Sequence, residues 1–339
     1  MGDFIRTHRD VAAEVRDNPN AREADSTPFR VLSLDGGGAK GFYTLGVLFE
    51  IEALIQKPLW SCFDLIYGTS TGAIIAALLA RGESVTSVQG LYKEHVPTIM
   101  RTNDARRRTR ELQRLARQIF GDAKSDAFKT MVGIVTTNWL DEDPMIFKSS
   151  VSQAHGSRGS FVPFYGCEIA DVIVASCSAY PFFDPHTLAT SKGTVQLADG
   201  GFCANNPSLY AIADAHLPLA NSRENIRLVS LGVGSYPQPP FFKRAGRAIR
   251  DWSIVKHIPS SDFIQKILDT NTSSMETLYK ILFKDVPAIR INQKYTEPEL
   301  ATDLMEHDLA KLERLTQKGR RSFGAHEEKL RSFLLSTLG

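Results

Sequence analysis

Apolar residues in this chain fall into two recurring patterns. The first is a short, mostly apolar run that stops at glycines. It occurs at 29–34 before Asp35-Gly-Gly-Gly, at 62–67 before Gly68-Thr-Ser-Thr-Gly72, at 195–198 before Asp199-Gly-Gly201, and at 226–231 before Gly232-Val-Gly234. Runs of this length, closed by turn residues, predict strands buried in a parallel sheet. The second pattern is helical: Leu45, Leu48, Phe49, Ile51 and Leu54 recur at helical spacing over 42–55, and 73–80 is an apolar helix after the second glycine cluster. Beyond Gly82 the pattern stays helical and grows basic through Phe120. Residues 163–170 read as a strand, 172–176 as a buried element, and Ala179-Tyr-Pro-Phe-Phe-Asp-Pro185 as an aromatic turn that walls an apolar substrate. From Lys243 the chain reads as mainly helical. Thr296-Glu-Pro-Glu299 is a capping box with proline in the first turn, opening an amphipathic helix with Met305, Leu309, Leu312 and Leu315 on one side.

Strands alternating with helices predict a three-layer α/β/α fold with a central, mostly parallel sheet and C-terminal helices. The expected division is an N-terminal arm over 1–28 with a short helix around 11–16, a core over 29–235, and a mainly helical region over 236–339 packed on the core, with regulation as its candidate role. Composition agrees with a globular chain: 339 residues, 42% hydrophobic and 23% charged. A net charge of +2 gives no reason to expect DNA or RNA as a partner. The N-terminus lacks the basic and apolar regions of a signal peptide. No apolar run nears the ~18 residues of a membrane span. Arg6 stands where a myristoylation signal needs Ser or Thr. Cys62, Cys167, Cys177 and Cys203 fit no zinc spacing and read as buried free thiols of a reducing cytoplasm. Arg101, Arg106, Arg107, Arg108, Arg110, Arg114 and Arg117 form a basic stretch, either a solvated helix face or a patch for anionic headgroups or phosphate.

The glycine clusters carry the chemistry. Gly68-x-Ser70-x-Gly72 between a strand and a helix is a nucleophile elbow, with Ser70 exposed at a sharp turn and facing the positive end of the next helix. Gly36, Gly37 and Gly38 let backbone N–H groups approach a reacting carbonyl, as an oxyanion hole requires, and Lys40 adds positive charge nearby. The same Gly36-x-Gly38-x-x-Gly41 also satisfies a dinucleotide fingerprint, but no acid ends the second strand to hold a ribose. A serine needs a base. His186 is the best placed of the eight histidines. Asp199 ends a strand at the sheet edge where the other clusters lie, with Gly200 and Gly201 leaving space beside it, so a Ser–Asp dyad is the favoured reading.

Asp35-Gly-Gly-Gly-Ala-Lys-Gly41, Gly68-Thr-Ser-Thr-Gly72 and Asp199-Gly-Gly201, in this order over roughly 29–235, resemble the three motifs of patatin-like phospholipases. Lys40 stands where many members carry arginine and plant patatins carry lysine. The resemblance implies a phospholipase A without a cofactor for its chemistry: Ser70 as nucleophile, Asp199 as base and the glycine loop as oxyanion hole. Past Gly234, Ile264-Gln-Lys-Ile-Leu-Asp-Thr-Asn, Met275-Glu-Thr-Leu and Glu306-His-Asp resemble the bacterial effector phospholipases of cyclic-oligonucleotide-based anti-phage defence (CBASS). That second resemblance implies activation by a cyclic dinucleotide, a homo-oligomer on activation, and action on the inner face of the cell's own membrane. Residues 241–256 and the arginine stretch are the candidates for nucleotide or membrane contact. The alternatives are a constitutive lipase and a non-catalytic nucleotide- or lipid-binding protein on the same fold.

Overall fold

The structure, a computed structural model, describes residues 27–236 and 258–335. The expected helix at 11–16 and the candidate contact segment 241–256 lie outside the described residues. One sheet is built from β1 (Phe29–Leu34), β2 (Leu65–Thr69), β3 (Met131–Asn138), β4 (Asp143–Lys148), β5 (His186–Thr190), β6 (Gly193–Asp199), β7 (Ile226–Leu231) and β8 (Ala288–Ile291). Its order is β5-β6-β3-β2-β1-β7-β8, with β4 also paired to β3. The stretch from β3 through β8 is parallel, while β4, β5 and β6 pair antiparallel. The helices are α1 (Gly41–Ile55), α2 (Thr71–Arg81), α3 (Val85–Arg101), α4 (Ala105–Phe120), α5 (Ile169–Ser176), the single turn α6 (Gly201–Ala204), α7 (Ser208–His216), α8 (Ile258–Leu282), α9 (Leu309–Gly324) and α10 (Glu327–Leu335).

Alternation along the strands feeds two cores. Leu32, Leu34, Ile66 and Ile134 point to one face, where α1, α2, α3 and α5 cover them. Val31, Leu65, Tyr67 and Val135 point to the other, against Ala211, Ile212 and Ala215 of α7. Strands apolar on both faces therefore sit at the centre of three layers, as their sequence requires. α1 is buried nearly all round because α9 packs along the side that the sheet leaves open.

Four sequence expectations change. The strand expected at 163–170 is absent: Pro163 opens a 3-10 turn, Phe164 and Tyr165 take φ of 48° and 51°, and Ile169 already begins α5. A short apolar run does not by itself distinguish a strand from a buried helix. The strand expected at 62–67 starts at Leu65, after a 3-10 turn over Leu59–Ser61. The region beyond Lys243 is not purely helical, since β8 joins the sheet parallel to β7. Thr296 caps no helix: Pro298–Leu300 is a 3-10 turn with Glu297 at its cap, and α9 begins only at Leu309. Asp308 caps α9, accepting from the N–H groups of Ala310 and Lys311 at 2.9 and 3.4 Å. Leu312 and Leu315 are buried on α9, Leu309 is 40% exposed, and Met305 precedes the helix.

Candidate active site

β3 brings the site together. Its residue Val135 pairs with Thr69 at the end of β2, and its next residue, Thr136, pairs with Asp199 at the end of β6. β4 occupies the opposite edge over the same residues. The two strands therefore approach end to end along one edge of β3, β2 parallel and β6 antiparallel. Ser70 and Asp199 follow from that meeting.

Ser70 sits between β2 and α2 with φ 53° and ψ −122°, a conformation that costs a non-glycine residue of order 1–3 kcal/mol. The turn is closed so tightly that a Cβ on Gly68 would strike the Gly72 carbonyl, and one on Gly72 would strike the Leu34 carbonyl. The Ser70 N–H donates to Ser176 Oγ at 3.0 Å, and that hydroxyl donates to the Val135 carbonyl at 2.7 Å. The elbow is thus tied to β3 and α5 together. Its hydroxyl stands at the start of α2, where the free N–H groups of a helix favour negative charge.

Asp199 is 3% exposed. Burial pushes its carboxyl up from the ordinary 3.8 to about 6, while the Ser70 hydroxyl and the Gly201 N–H favour the ionised form. The Gly201 N–H donates to Oδ1 at 2.7 Å. Gly200 has the Val135 carbonyl against its Cα, so it too admits no side chain. Cys177 lines the same cleft. Burial, with the Asp199 charge beside it, pushes its thiol up, so it stays protonated.

Of the three glycines expected in the oxyanion hole, Gly36 is excluded as a donor: its N–H is taken by the Asn205 carbonyl at 2.9 Å. Gly37 and Gly38 keep amide N–H groups with no acceptor among the described residues, and both line the cleft beside Ser70. Gly38 has φ +56° and abuts the Leu304 carbonyl, which accepts from the Ala39 N–H at 3.0 Å. Lys40 does not line the cleft. It is buried, which pulls its pKa down, and Asp269 and Asp303 balance its charge. Gly41 opens α1 against the Thr71 side chain.

His186 is remote from the elbow. Its Nε2 lies 3.5 Å from Asp171, in a depression shared with Arg117 and Gln113. Among the described residues no histidine hydrogen-bonds Ser70 or Asp199. The aromatic turn divides: Ala179, Phe182 and Phe183 line the cleft, while Tyr180 does not and is 49% exposed. The cleft runs between α2, α3 and α4 past Ile74, Leu78, Val96, Leu112 and Leu115.

Several supports were not legible in the sequence. Asn205 Nδ2 donates to Thr272 Oγ1 at 2.8 Å and to the Gly36 carbonyl at 3.3 Å. Asn271 accepts from the Asn205 N–H at 2.8 Å and donates to the Cys203 carbonyl at 2.9 Å. Asp35, which starts the glycine loop, is held bidentately by Arg290 of β8 at 2.8 and 2.6 Å. Burial pushes the Asp35 carboxyl up and Arg290 pulls it back. Glu276 of α8 lies 3.6 Å from Arg290 Nε. The C-terminal region thus holds both the glycine loop and the turn after Asp199. Only the Asn205-Asn206 pair gave a local hint, as polar residues in an otherwise apolar stretch.

Comparison with known proteins places this geometry. Residues 32–212 match the family described as Patatin-like phospholipase. A cUMP-AMP-activated phospholipase of Escherichia coli is 52% identical over 90% of this chain and 94% of its own length. A cGAMP-activated phospholipase of Vibrio cholerae is 29% identical over 60% of this chain and 62% of its own. Patatin-like protein 2 of Arabidopsis thaliana is 25% identical over 84% of this chain and 79% of its own. A mostly parallel sheet with an elbow serine, a glycine loop and a facing Asp-Gly-Gly turn, matched over more than half its length, makes this chain a member of the patatin-like phospholipase family, a hydrolase of lipid esters.

Proposed function

We propose that the chain cleaves fatty-acyl esters of membrane glycerophospholipids through a Ser70–Asp199 dyad. One observation carries this reading: Ser70, Asp199 and two acceptor-free amides meet in a single apolar cleft. The cleft takes the acyl chain. Ser70 Oγ attacks the ester carbonyl, and Asp199 accepts its proton. A carboxylate raised to about 6 is still ionised at neutral pH yet far more basic than an exposed aspartate. The N–H groups of Gly37 and Gly38 receive the developing oxyanion, and the α2 N-terminus favours the same charge. Lysolipid leaves, an acyl-enzyme forms on Ser70, and water deprotonated by Asp199 releases the fatty acid.

We further infer control by a cyclic dinucleotide, in antiviral defence on the cytoplasmic side of the membrane. The support is the 52% identity to a cUMP-AMP-activated phospholipase over nearly the whole chain. The hydrogen bonds of Asn271, Thr272 and Arg290 to the site's loops give the C-terminal region a physical hold on the site, so a ligand that shifts α8 or β8 has a route to the glycine loop. Taking a resting population from 1:99 to 99:1 needs about 10⁴-fold tighter binding to the active form.

The test is release of fatty acid from phospholipid vesicles, measured alone and with cUMP-AMP, cGAMP and other cyclic dinucleotides. Turnover switched on by one nucleotide and absent in Ser70→Ala is expected. Equal turnover with and without every nucleotide makes the chain a constitutive lipase, and no turnover under any condition removes the catalytic reading.

A further inference from the structure

On segments that adjoin cleft-lining residues, three aromatic side chains cluster at the surface. Trp139 follows β3, Tyr180 lies in the aromatic turn, and Phe202 follows Gly201. The Trp139 ring is 5.9 Å from Tyr180 and 5.6 Å from Phe202, centre to centre. They are not core residues: Trp139 is 36% exposed, Tyr180 49%, and Leu140 at the adjoining hairpin tip 72%. Their position ties them to the cleft. Tyr180 lies between Ala179 and Phe182, both cleft residues, and Phe202 is three residues past Asp199.

The aromatic turn is also fastened to the start of α4. Arg108 Nη1 donates to the Phe182 carbonyl at 2.7 Å, and the Asp184 N–H donates to Thr109 Oγ1 at 2.9 Å. That helix end presents Arg106, Arg107 and Arg110, all exposed and with no carboxylate partner among the described residues. The aromatic cluster and the exposed arginines thus sit on segments that also supply cleft-lining residues: Ala179, Phe182 and Asp199 on one side, Leu112, Leu115 and Ile119 on α4.

We propose that Trp139 and Tyr180, with Phe202 behind them, seat the cleft mouth on the surface of an anionic phospholipid bilayer, with Arg106, Arg107 and Arg110 on the headgroups. This rests on the lipid-hydrolase reading and names the surface that serves it. Tryptophan and tyrosine have an apolar body and a polar tip, which suits the boundary between headgroups and hydrocarbon. Arginines beside them complement anionic headgroups, each contributing about 1 kcal/mol near such a surface. A cleft opening toward the docked surface would let an acyl chain pass from the bilayer to Ser70 without crossing water, which an apolar chain strongly resists. Asp141, Glu142 and Asp143 beyond Leu140 fix the depth, because carboxylates stay out of hydrocarbon. The patch therefore docks at headgroup level.

The test compares full-length wild type, Trp139→Ser/Tyr180→Ser, the conservative Trp139→Phe, and Arg106→Gln/Arg107→Gln/Arg110→Gln. Co-sedimentation with vesicles of phosphatidylcholine, with and without phosphatidylglycerol, reads binding without needing turnover. Hydrolysis of vesicle lipid and of monomeric p-nitrophenyl butyrate, each measured with and without the cyclic dinucleotides, reads activity. The serine double variant is expected to lose about tenfold in vesicle binding per side chain, and vesicle hydrolysis in parallel, while butyrate turnover is unchanged. Trp139→Phe retains most binding. The arginine variant loses only the preference for phosphatidylglycerol. Unchanged sedimentation and vesicle hydrolysis in the serine variant overturn the proposal. So does a change in oligomeric state with vesicle binding intact, which would give the patch to a second copy of the chain. Failure of the enzymatic reading is separate: wild type would then hydrolyse neither ester with or without any cyclic dinucleotide, while sedimentation still tests the surface.

Discussion

Asp199→Asn should make the protein more stable and nearly inactive, and both effects come from the same burial. The carboxyl is displaced from 3.8 to about 6, mainly by desolvation. That displacement corresponds to about 3 kcal/mol. An acid whose native pKa is raised binds more protons folded than unfolded between the two values, so stability falls as pH rises through that window. Holding Asp199 ionised above about pH 6 therefore costs the native state about 3 kcal/mol, which asparagine avoids while its carbonyl still accepts from the Gly201 N–H. Urea unfolding of both proteins at neutral pH and near pH 4 reads the effect. The variant is expected to be more stable by up to that amount at neutral pH, with the difference shrinking as the wild-type carboxyl protonates. Turnover should fall about 10²- to 10⁴-fold with the base removed. In wild type, kcat/KM should rise with pH through about 6 as Asp199 ionises. Equal stability of the two proteins at neutral pH, or an activity limb centred near 4, would refute a buried carboxylate base at this position.

Gly37→Ala puts a methyl group against the Val233 side chain and displaces an oxyanion donor; kcat is expected to fall on the order of 100- to 1,000-fold, with the fold intact by circular dichroism. Arg290→Met leaves the buried Asp35 carboxylate unpaired and should destabilise by about 3–5 kcal/mol in urea unfolding, with Asp35→Asn recovering part of the loss. His186→Ala should leave ester turnover within about twofold of wild type, because the ring faces Asp171; a loss of the size seen on removing a general base, about 10²-fold or more, would restore a histidine to the mechanism.

The sequence by itself determined β1, β2, β6 and β7, the elbow, and Ser70 and Asp199 as the proposed reacting pair. These rest on local physics. A run apolar on both faces must be covered on both, and glycines at 68 and 72 are needed wherever a strand turns this sharply into a helix. Asp199 was readable because a strand ending in Asp-Gly-Gly leaves room beside a carboxylate. The direction of that strand was not: β6 runs antiparallel to β3 and meets β2 end to end, which only pairing with a shared neighbour decides. Tertiary structure also removed Gly36 from the oxyanion donors, turned Lys40 away from the cleft, and placed Arg290 on Asp35, 255 residues earlier in the chain. Such contacts join single polar groups from distant segments, and each exists because a buried donor or acceptor must find a partner somewhere. That requirement has no period and no spacing along the chain, so it becomes visible only once the chain is folded.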